Sequence, residues 1–251
     1  MKAMIFAAGL GTRLKPLTDT MPKALVPLAG KSLLQWQVEK LRKAGITDII
    51  VNVHHFSDMI IDTIRANEGW GCNIEISDER DLLLDTGGGL KKAISDYRLA
   101  MSDEPILVCN VDILSNIDLR ALLSAYEQTG VSQLVVSERD TQRYLCFDEN
   151  NRLCGWTNIK TGELKGKDGR HLAFSGCQIL SSEALALLKE MPQEKFSLID
   201  FYLQVMDKVP LQAFVPTDYR MMDVGKIDQI EKAERFAALL VSPERLELST
   251  H

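Results

Sequence analysis

Two glycines and two basic residues follow closely on the first apolar segment of the chain, in a pattern that suits phosphate chemistry. Gly9 and Gly11 precede Arg13, and Lys23 follows in a stretch that is rich in proline. Glycines allow backbone N–H groups to approach an anion, and a guanidinium can grip two phosphate oxygens at once. These residue types indicate a loop that binds phosphate.

Other glycine motifs that bind phosphate do not fit this loop. A dinucleotide fingerprint requires glycine where Leu14 stands, and in a Walker A loop the lysine follows directly on a glycine. Pro16, Pro22 and Pro27 also interrupt the helix that both motifs need. Two glycines after a strand can be a simple turn, so the interpretation depends on the longer string around them.

Two aspartates stand at the ends of apolar segments and are candidate metal ligands. Asp112 follows the largely apolar residues 105–111, which include Asn110, and Asp223 follows Met221 and Met222. A single aspartate in such a place is more often a turn or helix-cap residue than a ligand. Mg²⁺ is usually held by one or two carboxylates together with phosphate oxygens and water, which would suit a phosphate-binding protein.

An alternation of apolar and amphipathic segments must position these residues. We predict an ordered loop over residues 9–30, strands at 2–7, 48–53, 73–77, 106–109 and 133–137, and helices at 33–44, 57–67, 86–97 and 118–129. Such alternation predicts a mostly parallel sheet with helices on both faces. Ligands of these sheets collect at the carboxyl ends of the strands, where the glycine loop and Asp112 would lie.

The pattern changes after residue 137. Strands at 144–147, 153–156 and 172–180 with polar turns predict a small antiparallel insertion, and helices at 182–190, 197–208 and 226–240 follow around a strand at 211–215. We predict one domain over residues 1–241, divided into a nucleotide-binding part at 1–137 and a second part at 138–241. Residues 242–251 are expected to be a flexible tail.

Composition excludes several classes of protein. The 251 residues carry a net charge of −6, which argues against a general nucleic-acid surface. The five cysteines are odd in number and lack C-x-x-C spacing, so buried thiols are expected rather than disulfides or a zinc site. Without a signal peptide or a run of about 18 apolar residues, we expect a cytoplasmic protein with no membrane partner.

One long string is far more specific than these separate features. Residues 7–18 read AAGLGTRLKPLT and residues 22–27 read PKALVP, and together they resemble the signature of the sugar-phosphate nucleotidyltransferases. The likeness covers residues 1–236. Within the family the chain most resembles the N-acetylmuramic acid 1-phosphate uridylyltransferases, and it is similar to the mannose-1-phosphate guanylyltransferases and heptose-1-phosphate nucleotidyltransferases.

The resemblance implies a fold, a reaction and partners. The fold would be a three-layer α/β/α Rossmann-like mixed sheet of the nucleotide-diphospho-sugar transferase type, with a small antiparallel sugar-binding insertion. The reaction would join UTP or GTP to a sugar 1-phosphate and release pyrophosphate with the help of Mg²⁺. Nucleic acid and membrane would not be partners, and the protein would be a monomer or a dimer.

The resemblance also implies roles for single residues. Arg13, Lys23 and Asp112 would be catalytic, and Asp112 and Asp223 would together hold the Mg²⁺. The nucleotide would be bound by Ala7, Ala8, Gly9, Gly11, Thr12, Arg13, Lys23, Thr86, Gly87 and Gly88, of which the last three would lie under the base.

The sugar site is implied less completely. Asn110, Ser175 and Gly176 match segments that contact the sugar in the family. Trp156 is a candidate to stack on a sugar face, although it could equally pack in the core. Lys160 is a candidate to replace the lysine of a Glu-Lys-Pro element that this chain lacks.

Two departures from the family pattern keep other functions open. Val111 stands where the family has glycine, and Met221 or Met222 stands where it has an aromatic residue. The alternatives are a choline-phosphate cytidylyltransferase, which shares the N-terminal signature, and a non-catalytic relative that senses nucleotide sugars. The residues by themselves identify neither the sugar of the sugar 1-phosphate nor the base of the nucleoside triphosphate.

Overall fold

A computed structural model of the chain describes residues 1–96 and 104–241. The strands are β1 (Lys2–Phe6), β2 (Pro27–Leu28), β3 (Lys31–Ser32), β4 (Asp48–Val53), β5 (Asn73–Asp78), β6 (Ile106–Asn110), β7 (Ile113–Ser115), β8 (Ser132–Ser137), β9 (Arg143–Phe147), β10 (Leu153–Asn158), β11 (Glu163–Gly166), β12 (Arg170–Leu180), β13 (Leu211–Phe214) and β14 (Met221–Asp223). The helices are α1 (Leu33–Lys43), α2 (Ser57–Ala66), α3 (Asp85–Asp96), α4 (Leu119–Thr129), α5 (Ser182–Lys189), α6 (Leu198–Val205) and α7 (Ile230–Val241).

Ten of these strands form one mixed sheet. Its parallel run is β6–β1–β4–β5, as the alternation of strands and helices predicts. The long strand β12 pairs antiparallel with β6, β8 and β9, and thereby joins the two halves of the chain. Strand β8 was expected in the parallel run, but it pairs with β12 and β13 instead. Strands β9 to β12 supply the antiparallel part predicted after residue 137, and they continue the main sheet.

Helices cover both faces of the sheet and create two cores. Along β1, Ala3 and Ile5 face a core that includes side chains of α1, α2, α4 and α7. Met4 and Phe6 face the opposite core, which includes side chains of α3, α5 and α6. Because both faces are buried, the strands need apolar residues at every position, which explains their continuous apolar sequence. The three-layer α/β/α prediction is confirmed.

The ends of the helices follow local signals in the sequence. The Ser32 hydroxyl accepts a hydrogen bond from Gln35 N at 3.1 Å and caps α1. The Asp118 carboxylate accepts one from Arg120 N at 2.9 Å and caps α4. Gly130 ends α4 in a left-handed conformation with φ +67°. Caps of this kind satisfy backbone groups that a helix end would otherwise leave unpaired.

Three features were not predicted from the sequence. Strand β11 pairs with β10, and the short strands β2 and β3 form a separate ribbon. Strands β7 and β14 pair antiparallel outside the main sheet, with Asp223 opposite Ile113, and we call this pair the β7–β14 ribbon. Strands of two to four residues carry too little hydrophobic pattern to be recognised.

Some predictions lie outside the described residues. These are the last residue of the predicted helix 86–97 and the tail at 242–251. Within the described residues, no helix combines the length and the apolar character required to cross a bilayer.

Candidate active site

The loop after β1 is ordered and folds back on itself. Gly11 has φ +64°, and its carbonyl accepts hydrogen bonds from Leu14 N and from the Thr18 hydroxyl, both at 2.8 Å. A Cβ atom at residue 11 would lie 2.8 Å from the Thr18 side chain and 3.0 Å from Cβ of Lys23. Glycine is therefore required here both by the backbone angle and by close packing.

This loop forms one wall of a cleft of about 540 Å³ at the carboxyl ends of β1, β4 and β6. Predicted nucleotide, catalytic and sugar residues line this cleft together: Ala8, Gly9, Gly11, Thr12, Arg13, Lys23, Thr86, Asn110 and Asp112. Ala7 lies just behind them, and its N–H donates to Asn52 Oδ1 at 2.7 Å. The sequence places these residues up to about a hundred positions apart, and the parallel sheet brings them to one edge.

Lys23 and Asp112 form an ion pair on the wall of the cleft. The Lys23 side chain is 9% exposed and that of Asp112 is 21% exposed, and the Lys23 ammonium donates to Asp112 Oδ2. A lysine this buried needs a charged partner, because an unpaired ammonium out of water is costly. The pair keeps a cationic group within the cleft when no ligand is bound.

Asp223 reaches the same place from the far end of the chain. The β7–β14 ribbon brings it alongside Asp112, and Val224 N donates to the Asp112 carbonyl at 2.9 Å. Although the Asp223 side chain reaches solvent, partial burial and then the charge of Asp112 raise the pKa of its carboxyl, against the effects of Lys23, Arg13 and Arg139. A Cβ atom on Gly225 would lie 3.0 Å from Nη2 of Arg13, so the guanidinium also borders this group.

This donor set fits Mg²⁺. Asp112 lines the cleft and Asp223 lies beside it, where partial burial and then the charge of Asp112 raise the pKa of the Asp223 carboxyl. A divalent cation would neutralise that charge, and hard oxygen ligands are those that Mg²⁺ prefers. The magnesium assignment itself stays a prediction.

Two buried polar residues of the cleft were not singled out from the sequence. Asn52 and Glu79 are each 2% exposed, and Asn52 Nδ2 donates to Glu79 Oε1 at 2.7 Å. Glu79 Oε2 also accepts from Leu84 N at 3.2 Å. Asn52 therefore links the end of β1, through Ala7, to the segment before α3. A polar residue inside the apolar run DIIVNV was the signal that could have drawn attention to Asn52.

Burial makes Glu79 a source of pH dependence. Loss of hydration raises the pKa of its carboxyl above the ordinary value of 4.5. The folded state thus holds this proton more tightly than the unfolded chain. The stability that Glu79 contributes is complete below pH 4.5 and is lost as the pH rises through the folded pKa.

We expect Glu79→Gln to remove this pH dependence. Urea unfolding of the wild type and the variant between pH 4 and pH 7 should show the wild type losing free energy of unfolding relative to the variant as the pH rises. Glu127→Gln, at an exposed position of α4, is the matched control and should follow the wild type. A constant difference between wild type and Glu79→Gln would contradict the assignment.

The glycines at the start of α3 pack against another segment of the chain. Gly87 N and Gly88 N donate to the Phe196 carbonyl at 2.9 and 3.2 Å, and Leu198 N donates to the Thr86 hydroxyl at 3.0 Å. A Cβ atom on Gly88 would lie 2.2 Å from the Glu194 carbonyl oxygen. The contact holds residues 194–196 against α3. The predicted base contacts of Thr86, Gly87 and Gly88 stay predictions.

This packing places Lys195, a basic residue that was not predicted as part of the site, in the cleft. Lys195 stands between Glu194 and Phe196, which touch the glycines, and it is among the residues that line the cleft. An exposed lysine in a polar stretch gives no sequence signal of this role.

The predicted sugar residues divide into two groups. Asn110 lines the cleft, and a Cβ atom on Gly176 would lie 2.8 Å from its Nδ2 atom, so Gly176 packs directly on Asn110. Ser175, beside Gly176, is 1% exposed. Trp156 on β10 instead packs against the second core, with Lys165 Nζ 5.4 Å from its ring centre, and Lys160 lies in the turn after β10. Neither is among the described residues that line the cleft, and their sugar contacts stay predictions.

A mixed α/β sheet with helices on both faces, a glycine loop after β1 and an aspartate after β6 define an α/β domain of the doubly wound class. The profile of the nucleotidyl transferase family matches residues 2–238, and the chain belongs to that family.

Several relatives are similar in sequence or structure. N-acetylmuramate α-1-phosphate uridylyltransferase of Caulobacter vibrioides is 45% identical over 112 residues, which cover 44% of this chain and 45% of the relative. UTP–glucose-1-phosphate uridylyltransferase of Synechocystis is 32% identical over 94% of this chain and 63% of its own. HddC from Yersinia pseudotuberculosis, solved as a complex with GMP-PN, is 26% identical, with a TM-score of 0.73 over 94% of this chain and 99% of its own. The N-acetylmuramate enzymes are thus matched over about half of their length.

Proposed function

We propose that the chain is a Mg²⁺-dependent sugar-1-phosphate nucleotidyltransferase. The observation that carries the proposal is the convergence of Arg13, Lys23, Asp112 and Asp223 at one end of the cleft. The relatives named above support a reaction in which an NTP and a sugar 1-phosphate give an NDP-sugar and pyrophosphate.

The chemistry brings two anions together. A phosphate oxygen of the sugar 1-phosphate attacks the α-phosphorus of the NTP, and the bond to the leaving pyrophosphate breaks. In this proposal the amides of Gly9, Gly11 and Thr12 and the guanidinium of Arg13 bind the pyrophosphate portion. Lys23 binds at the α-phosphate. Because the protein forms no covalent bond with substrate, its contribution is to align the reactants and neutralise their charge.

Asp112 and Asp223 would hold the Mg²⁺. When bound, the ion supplies positive charge to the phosphate oxygens around the reacting phosphorus. The Lys23 ammonium donates to Asp112, so it would stand beside the proposed ion site, where it could also bind the substrate phosphate.

For the substrates, we propose UTP and N-acetylmuramate 1-phosphate. Two N-acetylmuramate α-1-phosphate uridylyltransferases, from Caulobacter vibrioides and Neisseria meningitidis, are 45% and 41% identical to this chain over the matched residues. The second candidate is GTP with mannose or heptose 1-phosphate, and the likeness to HddC with its bound GMP-PN supports the guanine nucleotide.

A pyrophosphate-release screen tests this proposal. UTP, GTP, CTP, dTTP and ATP are each combined with the 1-phosphates of N-acetylmuramate, mannose, heptose and glucose, and CTP also with choline phosphate. We expect the highest kcat/KM for UTP with N-acetylmuramate 1-phosphate, and loss of turnover when the chelator EDTA removes Mg²⁺. Release in no combination, with nucleotide sugars binding instead, would favour a sensing protein.

Lys195 should contribute binding energy to an anionic part of the substrates. Because its ammonium stays exposed, we expect Lys195→Met to lower kcat/KM by about three- to tenfold, or ~0.7–1.4 kcal/mol. Lys195→Arg keeps the charge and should restore most of the activity. Steady-state kinetics with each substrate varied in turn would measure this. Equal activity of the methionine variant and the wild type would exclude the contact.

A further inference from the structure

A cluster of side chains of the types that can bind metal lies on the antiparallel part of the sheet, and none of its three residues is among the described residues that line the cleft. Sγ of Cys146, a carboxylate oxygen of Asp168 and a ring nitrogen of His171 all lie within 4.8 Å of one another. His171 Nε2 is 2.7 Å from Asp168 Oδ1, and Cys146 Sγ is 3.9 Å from the same oxygen.

The strands themselves set this spacing. Cys146 of β9 lies directly opposite His171 of β12 in the antiparallel pairing, so their side chains emerge on the same face of the sheet. On its other side, Cys146 is opposite Gly155 of β10, which leaves that face uncovered.

The segment that leads into β12 folds across the uncovered face and brings Asp168 with it. A Cβ atom on Gly155 would lie 2.2 Å from the Lys167 carbonyl oxygen, and one on Gly169 would lie 2.4 Å from the Phe147 carbonyl oxygen. Glycines at both places therefore permit a close approach that any side chain would prevent. Gly169 N donates to Asp168 Oδ1 at 2.9 Å, which fixes the carboxylate over Cys146.

From this geometry we propose that Cys146, Asp168 and His171 bind one Zn²⁺ ion, or a transition-metal ion of similar chemistry, with water as the fourth ligand. A thiolate, an imidazole and a carboxylate form a mixed S, N and O set that suits Zn²⁺ rather than Mg²⁺. In a tetrahedral zinc site, bonds of 2.0–2.3 Å place the ligand atoms roughly 3.3–3.8 Å apart, so modest side-chain rotations suffice. Cys146 is buried while Asp168 and His171 are exposed, so an ion would have to reach the thiol from the side of these two residues.

This proposal departs from the expectation, drawn from the cysteine spacing, of buried thiols without a zinc site. Cys146 lies on β9, Asp168 in the segment before β12 and His171 on β12. The spacing of these three residues in the sequence matches none of the usual zinc motifs. Bound metal would tie the turn at residues 167–169 to β9 and so stiffen the antiparallel part of the sheet.

Cobalt titration tests the proposal. The full chain, freed of metal and kept reduced, is titrated with Co²⁺ and then with Zn²⁺. We expect one Co²⁺ per chain to give a thiolate-to-cobalt charge-transfer band that Zn²⁺ abolishes. The band would distinguish thiolate-bound cobalt from cobalt in the cleft, because no cysteine is among the described residues that line the cleft.

Variants make the assignment specific. His171→Ala changes an exposed residue and should fold, yet it should weaken Zn²⁺ binding more than tenfold and remove the Zn²⁺-induced rise in Tm. Cys146→Ser should lose the band, while Cys72→Ser, at a partly buried cysteine elsewhere, should keep it. The double variant Asp112→Asn, Asp223→Asn should also keep the band. No band in the wild type, or a band that survives both Cys146→Ser and His171→Ala, would overturn the proposal.

Discussion

Replacing Asp112 by asparagine is expected to lower kcat by about a hundred- to a thousandfold, or ~2.7–4 kcal/mol of transition-state stabilisation. The change removes one of the two carboxylates proposed to hold Mg²⁺ and takes away the negative charge that is paired with Lys23. The asparagine oxygen can still accept a hydrogen bond from Lys23, so we expect the fold to survive. Pyrophosphate release at saturating substrate measures the effect, and circular dichroism checks the fold.

Asp223→Asn is the matched variant for this prediction. It removes the second carboxylate but leaves the Lys23–Asp112 ion pair in place. If the two carboxylates share one ion, both variants should lose activity and both should need more Mg²⁺ to reach half of their remaining rate. A folded Asp112→Asn protein with wild-type turnover would exclude the metal assignment, and so would a fully active Asp223→Asn protein.

Replacing Gly88 by alanine is expected to destabilise the protein and impair substrate binding together. The new Cβ atom would lie 2.2 Å from the Glu194 carbonyl oxygen, a backbone atom that can move only if its whole segment moves. Such overpacking costs about 1–3 kcal/mol, while the helix propensity of alanine returns at most about 1 kcal/mol. We expect a net loss of stability, because the cost of overpacking exceeds the gain in helix propensity.

Displacement of residues 194–196 would also carry Lys195 away from the cleft. We therefore expect Gly88→Ala to lower the urea midpoint and to raise KM. Ser95→Ala, at an exposed position of the same helix, is the control, and its stability should stay within about 0.5 kcal/mol of the wild type. An unchanged urea midpoint and KM for Gly88→Ala would show that the contact with residues 194–196 is unimportant.

The sequence predicted best the parts of the site that lie next to a strong local pattern. Strand β1 and the glycine loop are continuous in the chain, and the loop contains its own cations, so Arg13 and Lys23 could be identified there. Asp112 stands directly after an apolar strand, which also made its position at the edge of the sheet predictable.

Residues brought in by tertiary packing could not be predicted in the same way. Lys195 enters the cleft because Gly87 and Gly88 lack side chains, and that relation joins segments more than a hundred residues apart. The pairing of β8 with β12 depends on β12 being long enough to bridge two groups of strands. Neither relation leaves a periodic pattern in the sequence.

The β7–β14 ribbon has a consequence for how the protein is made. Asp112 is joined to its partner carboxylate only through a strand that ends at residue 223, in the last eighth of the chain. A polypeptide that is still emerging from the ribosome, or one that is cut before that strand, contains the glycine loop and Asp112 but lacks Asp223, the second proposed ligand of the ion. If the proposed function holds, the growing chain would capture nucleotide poorly and remain inactive until residue 223 has been added and has folded against β7.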